Sequence, residues 1–224
     1  MKAICSWSGG KDCCLAYYKA ISEGIDICHL LNFMSGDSQQ SVSHGLDSAL
    51  ISLQAQAMGV SLIQRRVPWG TYEQCMKEVV ENLKQEGVTA EVFGDIYLQE
   101  HKDWLDRVCT ELDITPVFPL WQQDTERLIK DFIVAGFEAI VVSVKSDMMG
   151  REWLGRRIDQ DFVHALQQHD GEVPIDVCGE KGEFHTVVLD GPVFEKRLVV
   201  EVGDVVEENG HFLLRIPRYS IEAK

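Results

Sequence analysis

From Lys2 to Val144, short apolar runs of β character alternate with segments whose apolar residues recur at helical spacing, and few folds accept that alternation. Lys2 to Trp7 is the first run; a glycine pair breaks it, and Leu15, Tyr18 and Ile21 then follow a helical period up to Gly24. Strands are predicted again over Ile27–Met34, Val60–Val67, Ala90–Ile96 and Thr115–Leu120, with a last run at Glu138–Val144. The helices between them are predicted over Leu46–Met58, from Thr71 to Gly87, over Gln99–Leu112 and from Asp124 to Gly136. Thr71 with Gln74 reads as a capping box and Asp124 as an N-cap. A strand followed by a crossover helix returns the chain to the same sheet edge, so the expected fold is α/β with a doubly wound parallel sheet, Rossmann-like in layout.

After Val144 the grammar changes. A charged segment, Met148–Arg157, precedes one helix over Asp159–His169; β-like runs at Thr186–Leu189, Arg197–Val202 and His211–Tyr219 then surround the turn signals Asp190-Gly191 and Asn209-Gly210. That suits antiparallel hairpins. The division is expected near residues 121 to 125, giving a first domain of 1–123 and a smaller C-terminal α+β domain of 124–224. The polar stretch Ser35–Ser43 is a loop or lid candidate.

Charge narrows the function. With 36 Asp and Glu against 21 Lys and Arg, the net charge of −15 opposes nucleic acid, whose binders need cations to displace counterions. Arg151, Arg156 and Arg157 form a local basic cluster that reads equally as an anion contact or a solvated face. Seven cysteines, an odd number without Cys-x-x-Cys spacing, are expected reduced and not in a metal site. No apolar stretch nears the ~20 residues of a spanning helix and no secretory pattern opens the chain, so no membrane and a cytoplasmic location are expected.

Ser8-Gly9-Gly10-Lys11-Asp12 joins the first strand to the first helix, the place where a parallel sheet presents ligands. Small residues let backbone amides ring a phosphate, the helix N-terminus adds positive partial charge, and Lys11 adds a full one. A Walker A loop is excluded, because it would need glycine at Cys5 and a hydroxyl at Asp12.

The loop resembles the Ser-Gly-Gly-x-Asp-Ser loop of the ATP pyrophosphatases, with Cys13 in place of the final Ser. Further matches at His44-Gly45, Gln54-Ala55, Gly94-Asp95-Ile96, Pro119-Leu120-Trp121, Leu154-Gly155-Arg156, Cys178 through Thr186 and Asp190-Gly191-Pro192 extend the resemblance along nearly the whole chain, to the diphthine–ammonia ligase family. It implies an adenine-nucleotide domain followed by a domain that carries Gly-Glu-x-Gly-Glu to the cleft. It also implies chemistry: a carboxylate attacks the α-phosphate of ATP, pyrophosphate leaves, and ammonia displaces AMP to give an amide. ATP and Mg²⁺ are the implied cofactors; ammonia and a carboxylate, such as diphthine on a translation elongation factor, are the partners, with a homodimer left open. The family's Gly-Glu-x-Glu-Thr becomes Gly-Glu-Phe-His-Thr here, so His185 stands where a second acid is expected.

On this reading Ser8, Gly9, Gly10, Lys11, Asp12, Cys13, Asn32, His44 and Gly94 bind ATP, and Lys11 clamps the β and γ phosphates. Asp12 either caps the first helix or orients Lys11 and a hydrated Mg²⁺; Asp95 either serves Mg²⁺ or nucleotide, or is a turn residue. His44 is a nucleotide or lid contact, or an exposed loop residue; Asn32 and Phe33 meet adenine or finish the core. Glu180, Glu183 and His185 hold the amine donor or act on it as a base. Glu183 and His185 share a face in an extended segment, which Glu180 reaches only through a turn at Gly182. Trp104, Trp121 and Trp153 read as core or rim packing. The alternatives are the same adenylation on another acceptor, or a non-catalytic adenine-nucleotide sensor; tRNA modification is disfavoured by the charge.

Overall fold

The computed structural model describes residues 1–36, 46–169 and 174–224. Its first half is the expected alternation: β1 (Lys2–Ser6), α1 (Lys11–Ser22), β2 (Asp26–Ser35), α2 (Ser48–Met58), β3 (Ser61–Val67), α3 (Tyr72–Lys84), β4 (Ala90–Val92), α4 (Gln99–Glu111) and β5 (Thr115–Val117). All neighbours pair in parallel, in the order β3-β2-β1-β4-β5. The chain builds outward from β1 on one side and resumes beside β1 with β4 on the other. The carboxyl ends of β1 and β4 therefore bracket the switch point where such sheets open a ligand crevice.

Both faces of the sheet are covered, which is why its central strands β1 and β2 are mostly apolar on both sides. Ile4, Leu31, Phe33 and Phe93 pack under Met76 and Val80 of α3 and Leu105 and Val108 of α4. Ala3, Cys5, Ala90 and Val92 pack under Leu15 and Ala16 of α1 and Leu50 and Ile51 of α2, in a cluster that runs on into the C-terminal half.

That half contains α5 (Thr125–Val134), β6 (Glu138–Lys145), α6 (Gln160–Gln167), β7 (Phe184–Asp190), β8 (Lys196–Glu201), β9 (Val205–Glu208), β10 (His211–Leu214) and β11 (Arg218–Ala223). An antiparallel sheet runs β7-β6-β10-β9, and β8 with β11 forms a separate antiparallel ribbon. Asp124 and Asp159 cap α5 and α6, accepting from Arg127 N at 2.8 Å and Phe162 N at 2.9 Å.

Some expectations fail for identifiable reasons. The capping box at Thr71 does not form: its hydroxyl donates to the Pro68 carbonyl at 2.8 Å, and the Gln74 amide turns to Glu78 at 3.0 Å. Asn209-Gly210 makes its hairpin, both residues with positive φ, but Asp190-Gly191 does not, because β7 pairs with β6 and β8 with β11. The β4 strand stops at Val92 instead of Ile96. There the backbone leaves the sheet and presses on the first loop: a Cβ on Gly94 would lie 3.0 Å from Asp12 C and Cys13 N. His44 and most of the lid candidate lie outside the described residues.

Candidate active site

A cleft of 530 Å³ opens at the β1/β4 switch point, lined on one side by Ser8, Lys11, Asp12 and Cys13 and on the other by Glu180, Gly182, His185 and Thr186. Asn32, Gly94 and Asp95 also line it, so most of the residues singled out in the sequence converge there. Gly9, Gly10 and Glu183 do not reach its lining; the two glycines are the buried part of the loop.

Lys11 is only 4% exposed, and its ammonium is already engaged. It donates to both Asp12 oxygens, at 2.9 and 2.8 Å, and to the Cys178 carbonyl. Burial alone would lower its pKa; the adjoining Asp12 carboxylate reverses that and holds it above the ordinary lysine value. Lys11 is thus a fixed charge at the base of the loop, not a free arm. The Asp12 carboxyl is pushed up, first by burial and then by Asp176 and Asp95, against the pull of Lys11.

Cys13 follows in the first turn of α1. Its thiol accepts from Ser8 Oγ at 3.5 Å and donates to the Gly10 carbonyl at 3.1 Å. Burial would raise its pKa, but hydrogen bonds from Cys14, Ser8 and the Ser8 and Gly9 backbone bring it below the usual thiol value. All seven cysteines are free.

The facing segment is shaped by glycines of positive φ, Gly179 at 67° and Gly182 at 79°. Between them Glu180 enters the cleft, its Oε1 accepting from Ile96 N at 2.8 Å and Tyr97 N at 3.3 Å. Burial, seconded by Asp12 and Asp95, raises its pKa to about 7. Glu183 is spent on structure: one oxygen accepts from Asp176 N at 3.1 Å, the other from Lys181 N at 2.9 Å. The side chain of Asn32 likewise turns to backbone, donating to the Trp7 carbonyl at 2.8 Å.

Two features escaped the sequence reading. Asp95 is bonded to His101, in the first turn of α4, and that contact lifts the histidine's pKa against its partial burial. Trp104, expected as core or rim, lines the cleft with Tyr72 and Phe33 in an aromatic wall whose ring centroids are 4.7 and 5.9 Å apart. The spacing Asp95, His101, Trp104 at the start of a helix that follows a strand end was the available signal. The basic cluster disperses instead: Arg151 lies over Phe212, Arg156 over Trp153, and Arg157 meets Glu138.

The model of the diphthamide synthase N-terminal domain matches residues 1–116, and that of the C-terminal domain matches residues 124–221. The chain belongs to the diphthamide synthase family. It is 29% identical to the diphthine–ammonia ligase of Rattus norvegicus, over 92% of this chain and 85% of that protein, and 29% identical to the Homo sapiens diphthine–ammonia ligase with the same coverages. A solved chain described as a predicted subunit of tRNA methyltransferase from Methanocaldococcus jannaschii aligns at a TM-score of 0.47 and 16% identity, over 86% of this chain and 98% of that one. Membership in the diphthamide synthase family makes this an enzyme of the ligase class. No helix among the described residues is long and apolar enough to cross a membrane.

Proposed function

We propose that this diphthamide synthase homologue uses ATP to adenylate a carboxylate and then forms an amide with ammonia, dividing the work between residues 1–123 and 124–224. The observation that carries the reading is the convergence, in one cleft, of the Ser8–Asp12 loop with Glu180. The loop takes the terminal phosphates, and Lys11 supplies its positive charge to the departing pyrophosphate. The aromatic wall of Phe33, Tyr72 and Trp104 takes the base. An oxygen of the acceptor carboxylate bonds to the α-phosphorus as the bond to the bridging oxygen breaks. Ammonia then adds to the acyl carbon, AMP leaves with the C–O bond electrons, and Glu180 accepts the ammonia-derived proton. His185, in place of an acid, leaves Glu180 as the carboxylate this segment brings into the cleft.

Among the described residues no group of three His, Cys, Asp or Glu side chains forms a metal cage. Asp12, paired with Lys11 and crowded by Asp95 and Asp176, stands in an excess of carboxylates that suits a hydrated Mg²⁺, held through Asp12 or Asp95 and otherwise by phosphate and water. Such an ion would offset part of the triphosphate's negative charge. The acceptor on this reading is diphthine, which the relatives' name, diphthine–ammonia ligase, supports; the protein that would present it is a translation elongation factor.

The test is product analysis with labelled ATP, Mg²⁺, ammonium and a diphthine-bearing protein or other carboxylates. AMP and pyrophosphate that depend on the carboxylate support the proposal. ADP would reject the reaction, and bound but unaltered nucleotide with every acceptor would point to a sensor.

A further inference from the structure

Behind the phosphate loop, where the two halves of the molecule meet, lies a side chain to which the reaction above gives no part. Gln54, on α2, is fully buried. Its Oε1 accepts from Trp7 Nε1 at 2.8 Å, while Nε2 donates to the Gly9 carbonyl at 3.0 Å and to the Val188 carbonyl of β7 at 2.8 Å. A carboxamide has donors on one side and an acceptor on the other, so these partners admit one orientation; the reverse would set carbonyl against carbonyl.

The Gly9 carbonyl also accepts from Val188 N at 3.0 Å, and Lys11 N donates to Thr186 Oγ1 at 3.0 Å. Gly9 has φ +83°, and a Cβ there would lie 2.5 Å from Ile51 Cδ1. The loop therefore rests directly on α2 and is stitched to β7 at both ends. Three points fix it: Trp7 before the loop, Gly9 within it, and Lys11 at the start of α1. Gln54 touches the first two and the C-terminal strand together. Without it, Trp7 Nε1 would be left a buried donor without its partner, and the Gly9 carbonyl would be held by Val188 alone.

We propose that Gln54 is a positioning residue for the ligase reaction: it locks the phosphate loop against β7, so the loop amides are set for ATP only while the two halves are docked. The C-terminal half then contributes to nucleotide affinity as well as to the acceptor side. A loop held in advance does not spend binding energy on ordering itself, so loosening it weakens ATP binding first. The inference rests on the loop being the triphosphate site.

The experiment compares the full chain with Gln54→Leu, which removes every bond, and Gln54→Glu, which keeps an acceptor for Trp7 but sets oxygen against two carbonyls. Affinity for a non-hydrolysable ATP analogue is measured by calorimetry, together with KM for ATP and for ammonium, kcat, and the melting temperature. ATP affinity should fall at least about tenfold, with KM for ATP rising alike and KM for ammonium unchanged. A lower melting temperature with wild-type ATP affinity would mean a purely structural role and overturn the proposal. Should neither variant fold, Thr186→Val and Thr186→Ser test the second stitch: the serine, keeping the acceptor, should bind ATP like wild type and the valine at least about threefold more weakly. Equal affinities there would overturn it too. Wild-type protein that binds no ATP would instead refute the reading of the loop.

Discussion

The wall of the cleft formed by Ser8–Asp12 is a loop of small residues held in place through its backbone, whereas the facing wall, Gly179–Thr186, presents side-chain chemistry. On the first, a small-residue loop at a helix N-terminus is held from behind by Gln54 and β7 and carries a buried, fixed ammonium. On the second, positive-φ glycines thrust Glu180 into the cleft, with His185 and Thr186 beside it. Backbone recognition absorbs substitution, since a thiol at Cys13 still sits in the hydrogen-bond pattern of the loop. Side-chain recognition does not. The nucleotide half of the reaction should therefore tolerate sequence drift that changes the acceptor half.

The largest break in this comparison is Lys11→Ala, which deletes the charge that both walls share through Asp12 and Cys178. Turnover should fall by about 10²–10³-fold, measured as pyrophosphate release at saturating ATP. Activity within tenfold of wild type would mean that the loop backbone suffices.

Below the surface the contrast recurs in two buried glutamates. Glu183, under the acceptor wall, has both oxygens satisfied by backbone amides; Glu91, on β4 beneath the nucleotide wall, has a hydrogen-bond partner at neither oxygen. Burial raises the Glu91 pKa from 4.5 to about 8, so the folded state keeps a proton that the unfolded chain releases above 4.5. Stability is then full below that value and is lost as pH rises toward 8, by about 1.4 kcal/mol per unit, or about 3 kcal/mol by pH 7. Glu91→Gln should recover most of that in urea titrations at pH 7.5 and little at pH 4.5. A gain equal at both values would assign the effect to packing.

The next effect tests the acceptor wall itself. With a pKa near 7, Glu180 as base should make kcat rise through about pH 7 at fixed free ammonia, and Glu180→Gln should flatten that limb while lowering kcat about thirtyfold. An unchanged profile would move the base elsewhere.

What the sequence disclosed divides along the same line. Strand, loop and helix at Lys2–Ser22 are set by local periodicity and glycine placement, so the parallel sheet and the position of Lys11 were legible. The partners of Lys11 were not: the Cys178 carbonyl lies 167 residues away, and no local pattern states which carbonyl will meet a buried ammonium. Glu183 was misleading for a related reason. Its spacing with His185 promised a shared face, but the turns at Gly179 and Gly182 bend the preceding chain around its carboxylate, and the tight loop uses the acid to satisfy its own amides. Gln54 stood in the sequence as a matched residue without a task, because its partners lie far off along the chain, two in the β1–α1 connection and one on β7.

The smallest expected effect sharpens the comparison where the nucleotide wall is least backbone-like. Trp104 is half-buried; its Nε1 donates to Glu73 Oε2 at 2.9 Å, and its ring lies 5.9 Å from that of Tyr72 and 5.7 Å from that of His101. If this wall stacks on adenine, Trp104→Ala should raise KM for ATP about fivefold, the worth of one aromatic contact, while Trp104→Phe keeps the face and stays near wild type. Loss in both variants would trace the effect to the hydrogen bond with Glu73, which also accepts from Lys77 and Arg107, and so to the fold of α3 against α4. Loss in neither would place the base away from these rings and leave the triphosphate loop as the whole of the nucleotide's grip.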